Sequence, residues 1–77
     1  MGRSYKKNVF QSSRDGVSNI FIMNGDGSGQ TNLTNSGMEE RSPIFFPQGD
    51  RILFVRNNNY FTMNLNGTEV SQITNDD

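Results

Sequence analysis

Apolar residues fall in short runs, each bounded by Gly, Asn, Asp, Ser or Pro. No stretch sustains the 3.6-residue apolar period of an amphipathic helix. The runs predict strands from Asn8 to Ser12, Ile20 to Asn24, Gln30 to Thr34, Pro43 to Phe46, Ile52 to Arg56, Tyr60 to Asn64 and Val70 to Thr74. Arg14-Asp15-Gly16, Gly25-Asp26-Gly27 and Pro47-Gln48-Gly49-Asp50 lie between them and carry turn chemistry. Ile20-Phe21-Ile22-Met23 and Ile52-Leu53-Phe54-Val55 are apolar at every position. A strand wet on one face alternates polar with apolar, so these two are expected to be covered on both faces. Phe21, Met23, Phe54 and Phe61 are therefore expected in the core.

The pattern occurs twice. Asn19 to Ser28 aligns with Asn59 to Thr68 at an offset of 40, and the match continues through Leu33-Thr34-Asn35 against Ile73-Thr74-Asn75. Asn19/Asn59, Phe21/Phe61, Met23/Met63, Asn24/Asn64, Gly27/Gly67, Thr34/Thr74 and Asn35/Asn75 are identical pairs. Upstream, Lys7-Asn8-Val9-Phe10 matches Arg51-Ile52-Leu53-Phe54 at an offset of 44. The offset changes where the first copy has Ser13 to Val17 and the second only Asn57-Asn58. A turn is where a repeat best tolerates such an insertion. The reading is a first repeat over 7–37, incomplete at its start, a second over 38–77, and an N-terminal tail over 1–6.

Composition fits a turn-rich β protein. The chain has 77 residues, 8 of them Gly, 11 Asn, and 31% apolar. Chains this short often draw extra burial from disulfides, metals or partners. Cys and His are both absent, which excludes disulfides and any zinc site built on those ligands. Partner chains or a longer parent polypeptide remain as the expected source. The net charge of −1 and the lone basic pair Lys6-Lys7 point to neither nucleic acid nor an anionic membrane. No run has the length of a membrane span. Met1 to Lys7 carries basic residues without an apolar stretch behind them, and does not read as a signal peptide.

Candidate chemistry is sparse. Glu39-Glu40-Arg41 pairs two carboxylates, but neighbours in an extended chain point to opposite faces, so a solvated loop is expected. Asn24 to Gln30 places oxygen ligands at alternate positions around Asp26, a loose likeness to a calcium loop. It holds one carboxylate, and Asn35 stands where the bidentate Glu belongs; a hairpin turn is the expectation. Gly25, Gly27 and Gly29 are not followed by the lysine and helix of a phosphate loop. Asn32-Leu33-Thr34 and Asn66-Gly67-Thr68 are formal glycosylation sequons of the kind an Asn-rich chain produces by chance. No base stands ready to activate a serine. No catalytic residue, metal ligand or cofactor is therefore expected, and the binding residues are left open.

Ser13-Arg14-Asp15-Gly16, Ile20-Phe21-Ile22-Met23-Asn24, Asp26-Gly27-Ser28-Gly29, Leu33-Thr34-Asn35 and Ser42-Pro43-Ile44-Phe45-Phe46-Pro47-Gln48-Gly49-Asp50-Arg51-Ile52-Leu53-Phe54 resemble the TolB-type, WD-repeat-like β-propeller repeat. The resemblance spans Lys7 to Asn75, with Gln48 where the family favours Asp and Phe45 near a position often held by Trp. It implies an all-β fold of two propeller blades, the first lacking its initial strand, within a larger or oligomeric propeller. It also implies a bacterial source, and a periplasmic or secreted protein if a leader is missing. The expected function is a non-catalytic module for protein binding or assembly. The alternative is a propeller segment that gates or scaffolds a hydrolase domain of a larger enzyme. With two blades per chain, three chains would close a six-bladed ring.

Overall fold

The computed structural model describes residues 6–75; the expectations for the N-terminal tail and its leader, and for the last two residues, lie outside the described residues. Within them the regular structure is all β, in two antiparallel sheets, and no helix is long and apolar enough to cross a membrane. The first sheet runs β1 (Lys7–Ser12), β2 (Asn19–Asn24), β3 (Thr31–Asn32). The second runs β4 (Glu40–Phe45), β5 (Arg51–Arg56), β6 (Asn59–Asn64), β7 (Ser71–Gln72). Three strands followed by four is the order the sequence predicts.

Local chemistry explains the turns and their lengths. β5 and β6 are joined by Asn57 and Asn58 alone, with φ of 53° and 63°. Two positive φ values suit a tight hairpin whose twist matches its strands, and Asn accepts them at low cost. The first copy makes the same reversal with the longer Ser13–Ser18 segment, where Gly16 takes φ 111° and donates its N–H to Ser13 O at 2.9 Å. β3 and β7 are two residues each, shorter than predicted. A side chain ends the ladder in both. Thr34 Oγ1 accepts the Ile20 N–H at 3.1 Å, and Thr74 Oγ1 accepts the Tyr60 N–H at 2.9 Å. β4 begins at Glu40 and not at Pro43, because a bulge at Ser42, with φ 58°, lets pairing resume upstream at Arg41↔Val55.

Each sheet has a front and a back, set by period-2 alternation. On the front of the first sheet lie Val9, Ile20, Ile22 and Leu33, and on the back Phe10, Phe21 and Met23. The corresponding front of the second sheet carries Leu53, Tyr60 and Ile73, and its back Ile52, Phe54, Phe61 and Met63. The core forms where the front of the first sheet meets the back of the second. Ile20, Ile52, Phe54 and Met63 are fully buried there, with Val9, Ile22, Leu33, Phe45, Phe61 and Leu65 packed around them. The sheets approach so closely that a Cβ on Gly67, at φ 85°, would stand 2.7 Å from Leu33 O.

The expected core is thus partly corrected. Phe21 and Phe54 are buried, Phe61 is half-buried against the core, and Met23 is only half-buried. Met63 takes the fully buried place. The two methionines are equivalent in the repeat, but Met23 lies on the back of the first sheet, which no third sheet covers.

Candidate functional site

The Asp26 turn has a complete local account. Asn24 donates its N–H to Ser28 O at 2.8 Å, and Gly27 donates to Asn24 O at 2.9 Å. The Ser28 hydroxyl and N–H donate to Asp26 Oδ1 at 2.6 and 3.0 Å, and Asn24 Nδ2 donates to Ser28 Oγ at 3.0 Å. The second copy repeats every bond. Thr68 Oγ1 and N–H donate to Asn66 Oδ1 at 2.6 and 3.1 Å, and Asn64 Nδ2 donates to Thr68 Oγ1 at 3.1 Å. In both copies the side-chain oxygen two residues before the hydroxyl, Asp26 Oδ1 or Asn66 Oδ1, helps to close the hairpin. Among the described residues no three His, Cys, Asp or Glu side chains gather at one point. The sequon residue Asn32 donates its amide to Asp15 Oδ2 and Asn19 Oδ1, both at 3.1 Å.

The two donors from Ser28 hold the Asp26 carboxyl below its ordinary value of 3.8. A carboxylate lowered on folding adds stability above its unfolded pKa and loses it as the pH falls through the folded one. Asp26→Asn should preserve the turn, since Asn66 already makes the same bonds. Thermal melts from neutral to acid pH are expected to show the parent slightly the more stable at neutrality. The two curves should converge as the pH drops below 3.8. Parallel curves would mean that the charge on Asp26 contributes nothing.

Glu40 corrects the expectation of a solvated loop. It is 1% exposed. Its Oε2 accepts Arg56 Nε at 2.9 Å, Arg56 Nη2 at 2.7 Å and Ser36 Oγ at 2.8 Å, while Oε1 accepts Asn19 Nδ2 at 3.1 Å. Its neighbours Glu39 and Arg41 remain exposed. The Glu40 carboxylate ties β2 of the first sheet to β5 of the second, and every oxygen is engaged. Such an arrangement fastens the two sheets together.

Arginine also caps aromatic pairs on both backs. Phe10 and Phe21 stack across β1 and β2 at 5.5 Å, with the Arg14 guanidinium 4.7 Å from the Phe21 ring. Phe54 and Phe61 stack at 5.7 Å under Arg56, 4.8 Å from Phe61. The arginines come from different sequence positions yet serve the same face. Sequence alignment alone misses this, because the insertion at Ser13–Ser18 moves the residue that reaches the rings.

An apolar surface also lies open among the described residues. The front of the second sheet holds a shallow hollow of about 580 Å³ lined by Ser42, Ile44, Phe46, Leu53, Tyr60 and Ile73. Ile44 and Ile73 are each 56% exposed and Tyr60 49%. Tyr60 and Ile73 are the repeat equivalents of Ile20, which is fully buried, and of Leu33, which is half-buried. Sequence analysis identified no binding residue, and this face is the candidate it lacked. Comparison with family models, with curated proteins and with solved structures finds no match, so the candidate site stands on this geometry alone.

Proposed function

We propose that the chain is a non-catalytic module for protein binding and assembly, built as two blades of a TolB-like propeller, and that it assembles by head-to-tail contact with copies of itself. The observation that carries this reading is the unequal fate of equivalent residues. Ile20 is 0% exposed because the back of the second sheet covers it, whereas Tyr60 stays 49% exposed, with no sheet of the described residues in front of it. The chain already carries both halves of one further interface of the same kind. Leu53, Tyr60 and Ile73 form a front that no sheet of the described residues covers, and Phe10 and Met23 lie half-buried on a back where Phe21 is hidden beneath Phe10 and Arg14. A front that meets the back of the next copy generates a ring when the rotation closes. The resemblance to six-bladed propellers favours three chains per ring, and large apolar patches on a monomer favour association of some kind.

Sedimentation across a range of concentrations tests the proposal. The parent is expected to reach three times the mass of one chain. Ile73→Glu would bury an unpaired charge at the seam and is expected to weaken association by at least about 100-fold. Since Ile73 is 56% exposed in the single chain, the variant should keep the β-rich circular dichroism of the parent. A parent that stays a folded monomer at all concentrations sinks the proposal.

A further inference from the structure

The two sheets differ by one strand, and the difference leaves an edge. In the second sheet β4 occupies the outer edge of β5, pairing Ile44 with Leu53 and donating the Phe46 N–H to Arg51 O at 2.9 Å. The repeat equivalents of Arg51 and Leu53 are Lys7 and Val9 in β1. Gly25 donates to Lys6 O at 2.9 Å, so alternation turns the backbone of Lys6, Asn8 and Phe10 toward β2 and that of Lys7, Val9 and Gln11 away from it. Among the described residues no strand pairs with that outward edge.

Space accompanies the edge. A hollow of about 420 Å³ lies beside Lys7, walled by Phe45, Phe46, Pro47 and Leu65 of the second sheet. A second hollow of about 250 Å³ lies beside Gln11, against Ser18, Glu40 and Arg41. Between the two, the Gln11 side chain reaches across to β4 and accepts the Ser42 N–H at 3.0 Å. Room therefore exists beside Lys7 at one end of the outward edge and beside Gln11 at the other.

We infer that the outward edge of β1 is a strand-addition site, and that its occupant is an extended partner segment with the chemistry of β4. That segment has consecutive apolar residues like Ile44, Phe45 and Phe46, and unsubstituted amides to reach the Lys7 and Val9 carbonyls. Backbone pairing would supply affinity, and the apolar wall at Phe45 and Leu65 would select the side chains. β4 on β5 shows within the same chain which sequence satisfies such an edge. This site is an edge and not a face, so it stands apart from the head-to-tail seam.

The test adds a synthetic peptide with the sequence of residues 41–48 to the full chain carrying Ile73→Glu, which removes the seam from the experiment. Saturable binding is expected, with amide exchange slowed at Lys7 and Val9. A peptide methylated on the two amides that correspond to Ile44 and Phe46 is expected to bind at least about tenfold more weakly, because both backbone donors are gone. No saturable binding, or equal binding of the methylated peptide, overturns the inference. If the unmodified peptide binds as described while the parent chain is monomeric, the strand-addition site stands and the head-to-tail proposal falls.

Discussion

Phe54→Ala is expected to cost about 3–5 kcal/mol, the usual loss when a fully buried Phe is truncated. Phe54 is 0% exposed and sits at the centre of the contact between the sheets, with Ile20, Ile52 and Met63 around it. Its ring also stacks on Phe61 at 5.7 Å and lies 5.5 Å from the Arg56 guanidinium. Truncation empties the space under both. A chain of 77 residues has about 4–12 kcal/mol of stability to lose, so the variant stands close to unfolding at room temperature. Phe10→Ala supplies the control. Phe10 is the repeat equivalent of Phe54 but is half-buried on the uncovered back of the first sheet. Its truncation should cost about 1–2 kcal/mol, in proportion to the apolar area it hides. Urea unfolding of both variants in the Ile73→Glu background, where the seam that would cover Phe10 is absent, measures both. Equal losses at the two positions would show that the sheets do not pack as described.

Glu40→Ala is expected to cost about 3–5 kcal/mol, as removal of one partner from a buried ion pair generally does. The loss comes less from the attraction than from what is stranded. The Arg56 side chain is 14% exposed and would keep its charge without a carboxylate, and the Asn19 amide would lose one of its buried acceptors. Arg56 would still lie over Phe54 and Phe61 at 5.5 and 4.8 Å, a contact worth less than the pair. Arg56→Met removes the stranded charge while filling similar volume. The double variant should therefore lose less than the sum of the singles, by about 0.5–3 kcal/mol. Strict additivity would mean that Glu40 acts through its other partners, Asn19 and Ser36, and not through the arginine.

Glu40 also marks where sequence reasoning stopped. Two adjacent glutamates and an arginine have the composition of a solvated loop. What buries one of them is the long-range meeting of Asn19, Ser36 and Arg56, which lie 21, 4 and 16 residues away. No local pattern encodes that convergence. Met23 and Met63 teach the same lesson from the other side. They are identical in the repeat, yet one is half-buried and the other fully buried, because only one back face has a sheet packed on it.

The sequence by itself determined the all-β class, the seven strands in groups of three and four, the turn positions and the twofold repeat. Those features are written in near-neighbour terms: period-2 apolarity, Gly and Asn at positive φ, and Asp26 or Asn66 two residues before a hydroxyl that each one accepts. The tertiary structure alone decided which faces meet. Strands apolar on both sides announce that each face wants cover, but not which cover they get. Packing the first sheet's front on the second sheet's back buried Ile20 and left Tyr60 and Ile73 exposed, and among the described residues no strand pairs with the outward edge of β1. Equivalent residues thus have unequal fates because apolar burial depends on the neighbouring sheet, and among the described residues each of the two sheets has only the other to pack against.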